Sequence, residues 1–380
     1  MIVEVGTLVT PEGTRESVEL GIEGAGSLYV ETVIVPGFSD AHAHPQVVDV
    51  GEGRWSNSYE WMKQRRLAVD EAALRADTEL SSKLAAAAML RALLEGVTFM
   101  ALVGRAEANI AAYRRLPVKP RILIMPTILD TMRGWPSTWS ATSIVMALSK
   151  LDSNVPFGLF AHSLGNLSPK SLRAAYVTAQ SFGIPFGIHL NEGVDEMDKL
   201  VSLLGLERGR DSGIIAVHCI VDGDFKEYGI RVVHCPASNL KLYGRTLTHV
   251  GKVDALGSDW PLLLGSSLRA FKAAVEVHGV RHARFLLDRA TAGGYRVYGV
   301  RWGNDWVGFD ASLEKVLEGS CEPSFVSVDG RLVVSEGIIR ELALSRRDVE
   351  NMVEELVKLA IEKYPVGERR FLPSVAGKDA

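Results

Sequence analysis

Cysteine is scarce in this chain, with three among 380 residues, Cys219, Cys235 and Cys321. An odd number at irregular spacing excludes a disulfide framework and fits reduced thiols in a cytoplasm. Long apolar runs are missing: none approaches the roughly 18 residues that a spanning helix needs. The first residues, Met1-Ile-Val-Glu-Val-Gly-Thr, lack a basic start followed by an apolar stretch, so no secretory signal is read there. Charge of one sign is also missing. The formal net charge is only -4, which gives no reason to expect nucleic acid or an acidic membrane surface as partner. Neither Gly24-Ala-Gly nor Gly293-Gly294 continues into the lysine and helix start of a phosphate loop. No internal repeat or low-complexity segment is found. The expectation is a cytoplasmic enzyme-sized chain with a large buried core.

What is present is an ordered series of apolar runs. Up to about Val30 the chain has short β-prone runs, broken at Pro11-Glu-Gly and Gly24-Ala-Gly, that read as hairpins. From Val33 onward, strands alternate with helices. Eight strands are expected, at 33–41, 96–103, 121–127, 157–161, 184–190, 214–218, 231–234 and 253–257. That alternation predicts an α/β fold, a closed (β/α)8 barrel. One long helix is expected over Asp70–Glu95, with Gly96 as its stop. Others are expected at 169–181, 195–204, 268–278 and 283–298. Phe325-Val-Ser-Val-Asp-Gly-Arg-Leu-Val-Val is a hairpin with Asp329-Gly330 as its turn. It resembles the N-terminal runs in character. The expected organisation is therefore a small β-sandwich domain from both termini, residues 1–34 plus 305–343, around a barrel of residues 35–304. Residues 344–380 form a C-terminal helix and a frayed tail. Ser345-Arg-Arg-Asp348 opens that helix as a capping box, and Val349, Met352, Val353, Leu356 and Ala360 form its apolar stripe.

Chemistry gathers where the strands end. His42-Ala-His44 closes the first barrel strand. Alternation along a strand puts residues i and i+2 on one face, so both imidazoles can grip one ion. Asp40 can brace the strand end or the second ring nitrogen of a ligand. His189, in His189-Leu-Asn-Glu192, ends the fifth strand as a third ligand. Glu192 can reach over the metal and move a proton, or else serve as the first-turn acid of the next helix. His218 ends the sixth strand as a fourth ligand, as the residue that orients water, or as a core histidine. Asp259, in Leu256-Gly-Ser-Asp, is a carboxylate that needs a cation if buried. His162 ends the fourth strand and is a candidate substrate contact. No lysine stands there or at the fifth strand's end, so a carbamylated lysine bridging two metals is not expected and one metal is. His234, in His234-Cys-Pro-Ala-Ser-Asn239, faces the mouth or only bonds its loop, and Asn239 braces that loop. Trp55, Trp61, Trp135 and Trp139 fall in long loops that roof the mouth, where aromatics can stack on a flat ring or pack beneath the loop. Trp55 is taken as the candidate contact. Cys219 and Cys235 follow strand-end histidines and read as small buried hydrophobes rather than ligands.

Pro36-Gly-Phe-Ser-Asp-Ala-His-Ala-His, His189-Leu-Asn-Glu, Val217-His-Cys, His234-Cys-Pro-Ala-Ser-Asn-Leu-Lys and Leu256-Gly-Ser-Asp together resemble the amidohydrolase superfamily. The branch they look most like holds the cytosine, guanine and S-adenosylhomocysteine/methylthioadenosine deaminases and the triazine chlorohydrolases. The likeness runs from about residue 1 to residue 340. It implies a metallo-dependent hydrolase barrel with one divalent ion, zinc or iron, held by His42, His44, His189 and Asp259. It further implies Glu192 as proton shuttle, His218 as the residue positioning the attacking water, and His162 as a substrate-binding histidine. Three places depart from the pattern. The segment between Asn239 and Asp259 is short and carries Tyr243-Gly-Arg-Thr. Trp260-Pro-Leu-Leu-Leu replaces the small residues expected after the aspartate. Val307-Gly-Phe-Asp-Ala-Ser stands where Ala-Asp-Leu-Val is usual.

The activity expected is hydrolytic deamination of an amino-substituted nitrogen heterocycle, with a small-molecule substrate and a possible homodimer as the assembly. Hydrolysis of a cyclic amide, imidazolone-like or halogenated ring is the alternative at the same site. A barrel that keeps the fold but binds or assembles without catalysis is the alternative of a different class.

Overall fold

The computed structural model describes residues 2–24, 28–130, 146–147, 150 and 155–366. Trp135, Trp139 and the tail beyond Val366 lie outside the described residues. Two eight-stranded sheets carry the fold. One runs in order from β4 to β11: Phe38–Ala43, Val97–Gly104, Arg121–Ile128, Leu159–Ala161, Phe186–Leu190, Ile214–His218, Arg231–His234 and Ala255–Leu256. Every neighbouring pair in it is parallel. A bridge between Ala43 and Asp259 closes β11 onto β4. This is the expected (β/α)8 barrel. Its strands are near-continuously buried, as parallel strands covered by helices must be. The inward side chains Phe99, Ala101, Leu123, Met125, Phe160, Ile215, Val217 and Val233 fill the barrel as one cluster. The barrel is therefore packed, and only the C-terminal ends of its strands are open to chemistry.

The other sheet draws strands from both ends of the chain. β1 (Ile2–Thr10), β2 (Gly13–Gly21) and β3 (Leu28–Pro36) join β12 (Trp306–Phe309), β13 (Phe325–Val328), β14 (Arg331–Ser335), β15 (Ile338–Ile339) and β16 (Leu344–Ser345). The β13–β14 turn places Asp329 at φ 56 and Gly330 at φ 74, the backbone an Asp-Gly hairpin turn demands. β1 and β2 form a hairpin, but β3 pairs parallel to β1 rather than antiparallel to β2, so a second N-terminal hairpin is absent.

Two further expectations are corrected. The run from Val33 to Ala41 is not one strand. It divides at Pro36-Gly37, where β3 of the terminal sheet ends and β4 of the barrel begins. Gly37 is needed there because a Cβ would lie 2.0 Å from Oγ1 of Thr98. The long helix from Asp70 is two helices, Glu71–Ala76 and Thr78–Leu94. Asp77, at ψ 89, leaves the helical path and caps the second with its carboxylate, 3.0 Å from the Leu80 amide. Aspartate favours caps over helix interiors for this reason. The other helices fall at Pro169–Phe182, Met197–Leu204, Ser267–His278 and Ala283–Tyr298, near their expected spans. Gly293 and Gly294 lie inside the last of these. They let it press on the barrel, and the Gly294 amide donates to Ser39 Oγ at 2.9 Å. Helix Arg346–Lys363 opens with the capping box at Ser345 and Asp348, and its Val353 and Ala360 pack with Leu80 and Leu84 of helix Thr78–Leu94.

Candidate metal centre

Barrel closure and the site are one construction. The Asp259 amide donates to the His42 carbonyl at 2.8 Å, and the His44 amide to the Asp259 carbonyl at 2.6 Å. β4 slips register against β5 between Asp40 and Ala43. Such an irregularity re-aims side chains at a barrel rim. Gly257 makes room for the result, since a Cβ there would sit 2.8 Å from the His42 Cβ. Four non-glycine residues at the strand ends take left-handed backbone: Asn191 at φ 51, His218 at φ 74, Cys219 at φ 47 and Asp259 at φ 65. Conformations this costly persist where the surrounding structure holds them, and they gather at functional sites.

The side chains converge as two overlapping triads, His42–His189–His218 and His42–His44–Asp259, each with its ligand atoms within 4.8 Å of one another. The Nε2 atoms of His42 and His189 are 3.2 Å apart. Asp259 Oδ1 lies 3.5 Å from His42 Nε2 and 3.6 Å from His44 Nε2. Ligands about 2.0–2.1 Å from a tetrahedral zinc are separated by about 3.4 Å, so this donor set fits such an ion. Burial holds His42, His44 and His189 below the ordinary histidine range, leaving neutral imidazoles with free lone pairs. Asp259 is buried as well. Burial alone would raise its pKa, but the hydrogen bond from His42 and the neighbouring imidazoles reverse this and hold the carboxyl below its usual range.

The surroundings orient these groups. Oδ1 of Asp40 accepts from the Ser258 amide at 2.9 Å and the His42 amide at 3.4 Å, so Asp40 braces the strand ends. His42 Nδ1 has no hydrogen-bond partner among the described residues, and the brace does not reach the ring. His218 Nδ1 pairs with Asn239 Oδ1 at 2.8 Å, and Asn239 Nδ2 with Thr246 Oγ1 at 3.0 Å. Asn239 thus orients a site histidine rather than only its own loop. That pairing puts the proton on Nδ1 and turns Nε2 toward Glu192 Oε1, 3.8 Å away.

Glu192 is buried. It is not a first-turn acid, because the next helix starts only at Met197 with Glu196 as its cap. Burial pushes its carboxyl above the ordinary range, against the opposing pull of His218 and of the Tyr243 hydroxyl, which donates to Oε1 at 2.6 Å. Tyr243 was not singled out from sequence as a site residue. A signal existed: it lies four residues after Asn239 on helix Pro236–Tyr243, hence on the same helical face.

One cavity, of about 50 Å³, opens over these residues. It is lined by His44, His162, His189, Glu192, His218 and Asp259, together with Ser58, Trp61, Met62, Arg65, Glu71, Arg75 and Trp260 among others. No lysine is among its described lining residues. His162 Nδ1 stands 3.2 Å from Asn166 Nδ2, and burial drops its pKa to about 3.

Two expected substrate contacts are corrected. His234 turns away from the cavity and packs on His278, ring centroids 5.5 Å apart. Val233 and Cys235 point into the barrel, so alternation sends His234 outward. His218 follows inward-facing Val217 and escapes the same fate through its left-handed backbone. Trp55 packs, partly buried, against the apolar cluster that includes Leu242 and Trp260 and is not among the cavity's described lining residues, while Trp61 and Trp260 line the cavity in its place. Cys219 and Cys235 are buried thiols outside both triads.

A model of the amidohydrolase family matches residues 33–339. Among curated relatives, the 5-methylthioadenosine/S-adenosylhomocysteine deaminase of Symbiobacterium thermophilum is 27% identical over 252 residues, 56% of this chain and 53% of that protein. The chain spans about half the length of the first curated relatives it matches. Among solved structures, an adenosine deaminase from Xanthomonas campestris with bound zinc superimposes with a TM-score of 0.72 at 19% identity, covering 95% of this chain and 98% of that one. The zinc complex of atrazine chlorohydrolase from Arthrobacter aurescens gives a TM-score of 0.69 at 15% identity, covering 94% and 99%. At these identities the structural likeness concerns the fold.

Proposed function

The chain belongs to the amidohydrolase family, and from that premise we propose that it is a metal-dependent hydrolytic deaminase of an amino-substituted nitrogen heterocycle. The observation that carries the reading is Glu192. It is a buried carboxyl held by Tyr243, with its pKa raised, 3.8 Å from His218 and beside the two triads that share His42. Perturbed carboxyls at a cluster of metal-type ligands mark proton-transfer sites.

His42, His44, His189 and Asp259 would hold one divalent ion, and we take zinc as that ion. When bound, such an ion lowers the pKa of water toward about 7 and so supplies a nucleophile at neutral pH. No lysine stands at the ends of the fourth and fifth barrel strands, at His162 and His189, which favours a single-ion site over a carbamate-bridged pair. Glu192 holds a proton at Oε1 or Oε2 and passes it to the ring nitrogen next to the amine-bearing carbon. His218, with Nδ1 fixed by Asn239, presents Nε2 to the oxygen that adds to that carbon. Asp259 accepts the proton which that oxygen gives up and returns it to the departing amine, which leaves as ammonia. His162, neutral at physiological pH, donates to or accepts from the ring edge. Trp61 and Trp260, whose centroids are 5.9 Å apart, supply flat apolar walls. The cavity holds little more than a water or two by volume, so a ring enters by displacing the flexible side chain of Met62.

The test is ammonia release from a panel of aminopurines, aminopyrimidines, their nucleosides and aminopterins by zinc-loaded protein, run beside elemental analysis. Bound metal with ammonia from at least one ring is the expected result. Stoichiometric metal without ammonia from any of them would overturn the deaminase assignment.

A further inference from the structure

Glu196 is a buried carboxyl that the chemistry above leaves unused. It stands at the N-cap of helix Met197–Leu204, where a side chain ordinarily accepts from the first helical amides. Its side chain makes no such bond, and Oδ1 of Asp195 accepts from the Met197 amide at 3.1 Å instead. Oε1 of Glu196 accepts from the Tyr59 hydroxyl at 2.5 Å. Tyr59 lies on helix Ser58–Gln64, which also presents Trp61 and Met62 to the cavity. The same phenol oxygen accepts from the Gly165 amide at 2.9 Å, in the loop that follows His162. Burial first, and then the Glu196 carboxylate, push the Tyr59 phenol above its ordinary range, so it keeps the proton that it donates.

One phenol thus joins three loops at the mouth, those after β4, β7 and β8. The chain is shaped for the crossing. A Cβ at Gly165 would collide with the Tyr59 ring, and one at Gly193, with φ 93, would lie 2.5 Å from the Ser56 carbonyl oxygen. The Glu192 turn is fastened on both sides of this junction. The Glu192 carbonyl accepts from the Ser58 amide at 3.0 Å. The Glu196 amide donates to Asn191 Oδ1 at 2.9 Å, and Asn191 Nδ2 donates to the Val221 carbonyl at 3.1 Å. Asn191 is one of the left-handed residues and stands between His189 and Glu192. Such backbone persists only where surrounding bonds hold it. Arg245 also bridges the Ser56 and Gly193 carbonyls, at 3.0 and 3.3 Å, but from the solvent side, whereas the Tyr59–Glu196 bond is part-buried.

We propose that Tyr59 and Glu196 are positioning residues: their hydrogen bond ties the roof helix and the His162 loop to the turn that carries Glu192, and so sets where the Glu192 carboxyl stands over the ring. This rests on the reading of Glu192 as the proton carrier. Neither Tyr59 nor Glu196 is among the cavity's described lining residues, so the tie acts on the rate through Glu192 rather than on ring binding. A misplacement of about 1 Å at a reacting group can cost about 100-fold in rate, and a tie between separate loops guards against it. A ring that enters past Met62 leaves the tie closed.

The experiment uses full-length zinc-loaded protein, wild type, Tyr59→Phe, Glu196→Ala and Glu196→Gln. Hydrogen exchange is followed by mass spectrometry in peptides covering residues 56–64, 163–168 and 191–197. Ammonia release is measured on the ring of the panel above that reacts fastest. In Tyr59→Phe and Glu196→Ala all three peptides should exchange faster together, by about 5-fold or more, while the barrel strands and the zinc content stay unchanged. In both variants kcat should fall roughly 10-fold, the size of one lost hydrogen bond, with KM within about 2-fold of wild type. Glu196→Gln keeps an acceptor for the phenol and should return kcat to within about 3-fold of wild type. Faster exchange in the roof helix alone or in none of the peptides, a KM effect with kcat intact, or a glutamine variant as slow as the alanine one would overturn the tie. No ammonia from the wild type would sink the deaminase reading, and the exchange pattern would then decide the tie by itself.

Discussion

The hydroxyl of Tyr243 donates to Oε1 of Glu192 at 2.6 Å, and both residues are buried. The bond crosses from the last residue of helix Pro236–Tyr243 to the turn after β8, so it fixes the carboxylate relative to a different element. It also favours the charged carboxylate, against the desolvation that raises the Glu192 pKa. Phenylalanine at 243 keeps the ring and removes the donor. Hydrogen bonds to charged groups contribute about 1.5–3 kcal/mol, so Tyr243→Phe should lower kcat by roughly 10- to 100-fold with KM nearly unchanged. With the donor gone the Glu192 pKa rises further, and because Glu192 acts in its protonated form the alkaline limb of the kcat–pH profile should move to higher pH. An unmoved limb would assign the tyrosine to packing alone.

His42 belongs to both triads, whereas Glu192 belongs to neither. The two should separate cleanly on mutation. His42→Ala should abolish stoichiometric metal binding and activity together. Glu192→Gln should keep metal and lose about 10²–10⁴ in kcat, the range of general acid–base catalysis. Elemental analysis beside steady-state rates checks both. Metal loss in the glutamine variant would make Glu192 a ligand rather than a proton carrier.

These residues were legible in the sequence because each sits at the end of an apolar run. Strand-end position, more than residue type, is what points to a barrel's mouth. The limit of that logic shows in His218 and His234. Both end strands, yet one faces the cavity and the other the helix layer. The difference is a left-handed φ at His218, which no periodicity announces. Trp55 and Trp61 differ in a similar way. Their loop has no repeating pattern, so which ring reaches the cavity depends on how the loop folds over Leu242 and Trp260. Arg65, Glu71 and Arg75 went unread for the opposite reason. A charged helix reads as a solvated face until the structure turns that face into a cavity. The break at Asp77 was similarly hidden within helix-forming sequence.

His234 gives an acid-stability prediction. Its ring is fully buried, both nitrogens lack hydrogen-bond partners among the described residues, and burial drops its pKa to about 3. In the unfolded chain it titrates near about 6.5. Between those values the unfolded state holds a proton that the folded state does not, so stability falls as pH falls from about 6.5 toward 3 and is unaffected by this group above that window. The slope for one such group approaches about 1.4 kcal/mol per pH unit. His234→Leu should flatten the stability–pH curve by up to that amount across pH 4–6 in denaturant titrations. Identical curves would mean that the folded protein protonates His234 after all.

Asp77 ties the cavity wall to the C-terminal helix. Its carboxylate accepts from the Leu80 amide at 3.0 Å, from Lys363 Nζ at 2.7 Å and from the Tyr364 hydroxyl at 2.8 Å. The Leu80 amide first, and then Lys363, hold this carboxyl below its usual range. The Asp70 amide also donates to the Tyr364 carbonyl at 2.8 Å, so the segment carrying Arg75 is fastened at both ends. Loss of a helix cap costs about 0.5–2 kcal/mol, and Asp77→Ala also frees the end of helix Arg346–Lys363. The variant should unfold at lower denaturant with an unchanged m-value. Lys363→Ala removes an exposed ion pair and the ammonium's contact with the Tyr364 ring, and should cost under about 1 kcal/mol. Because the fastening lies outside the metal triads, zinc content should stay constant in both variants. Zinc lost together with stability would show that the tie also supports the ligand triads.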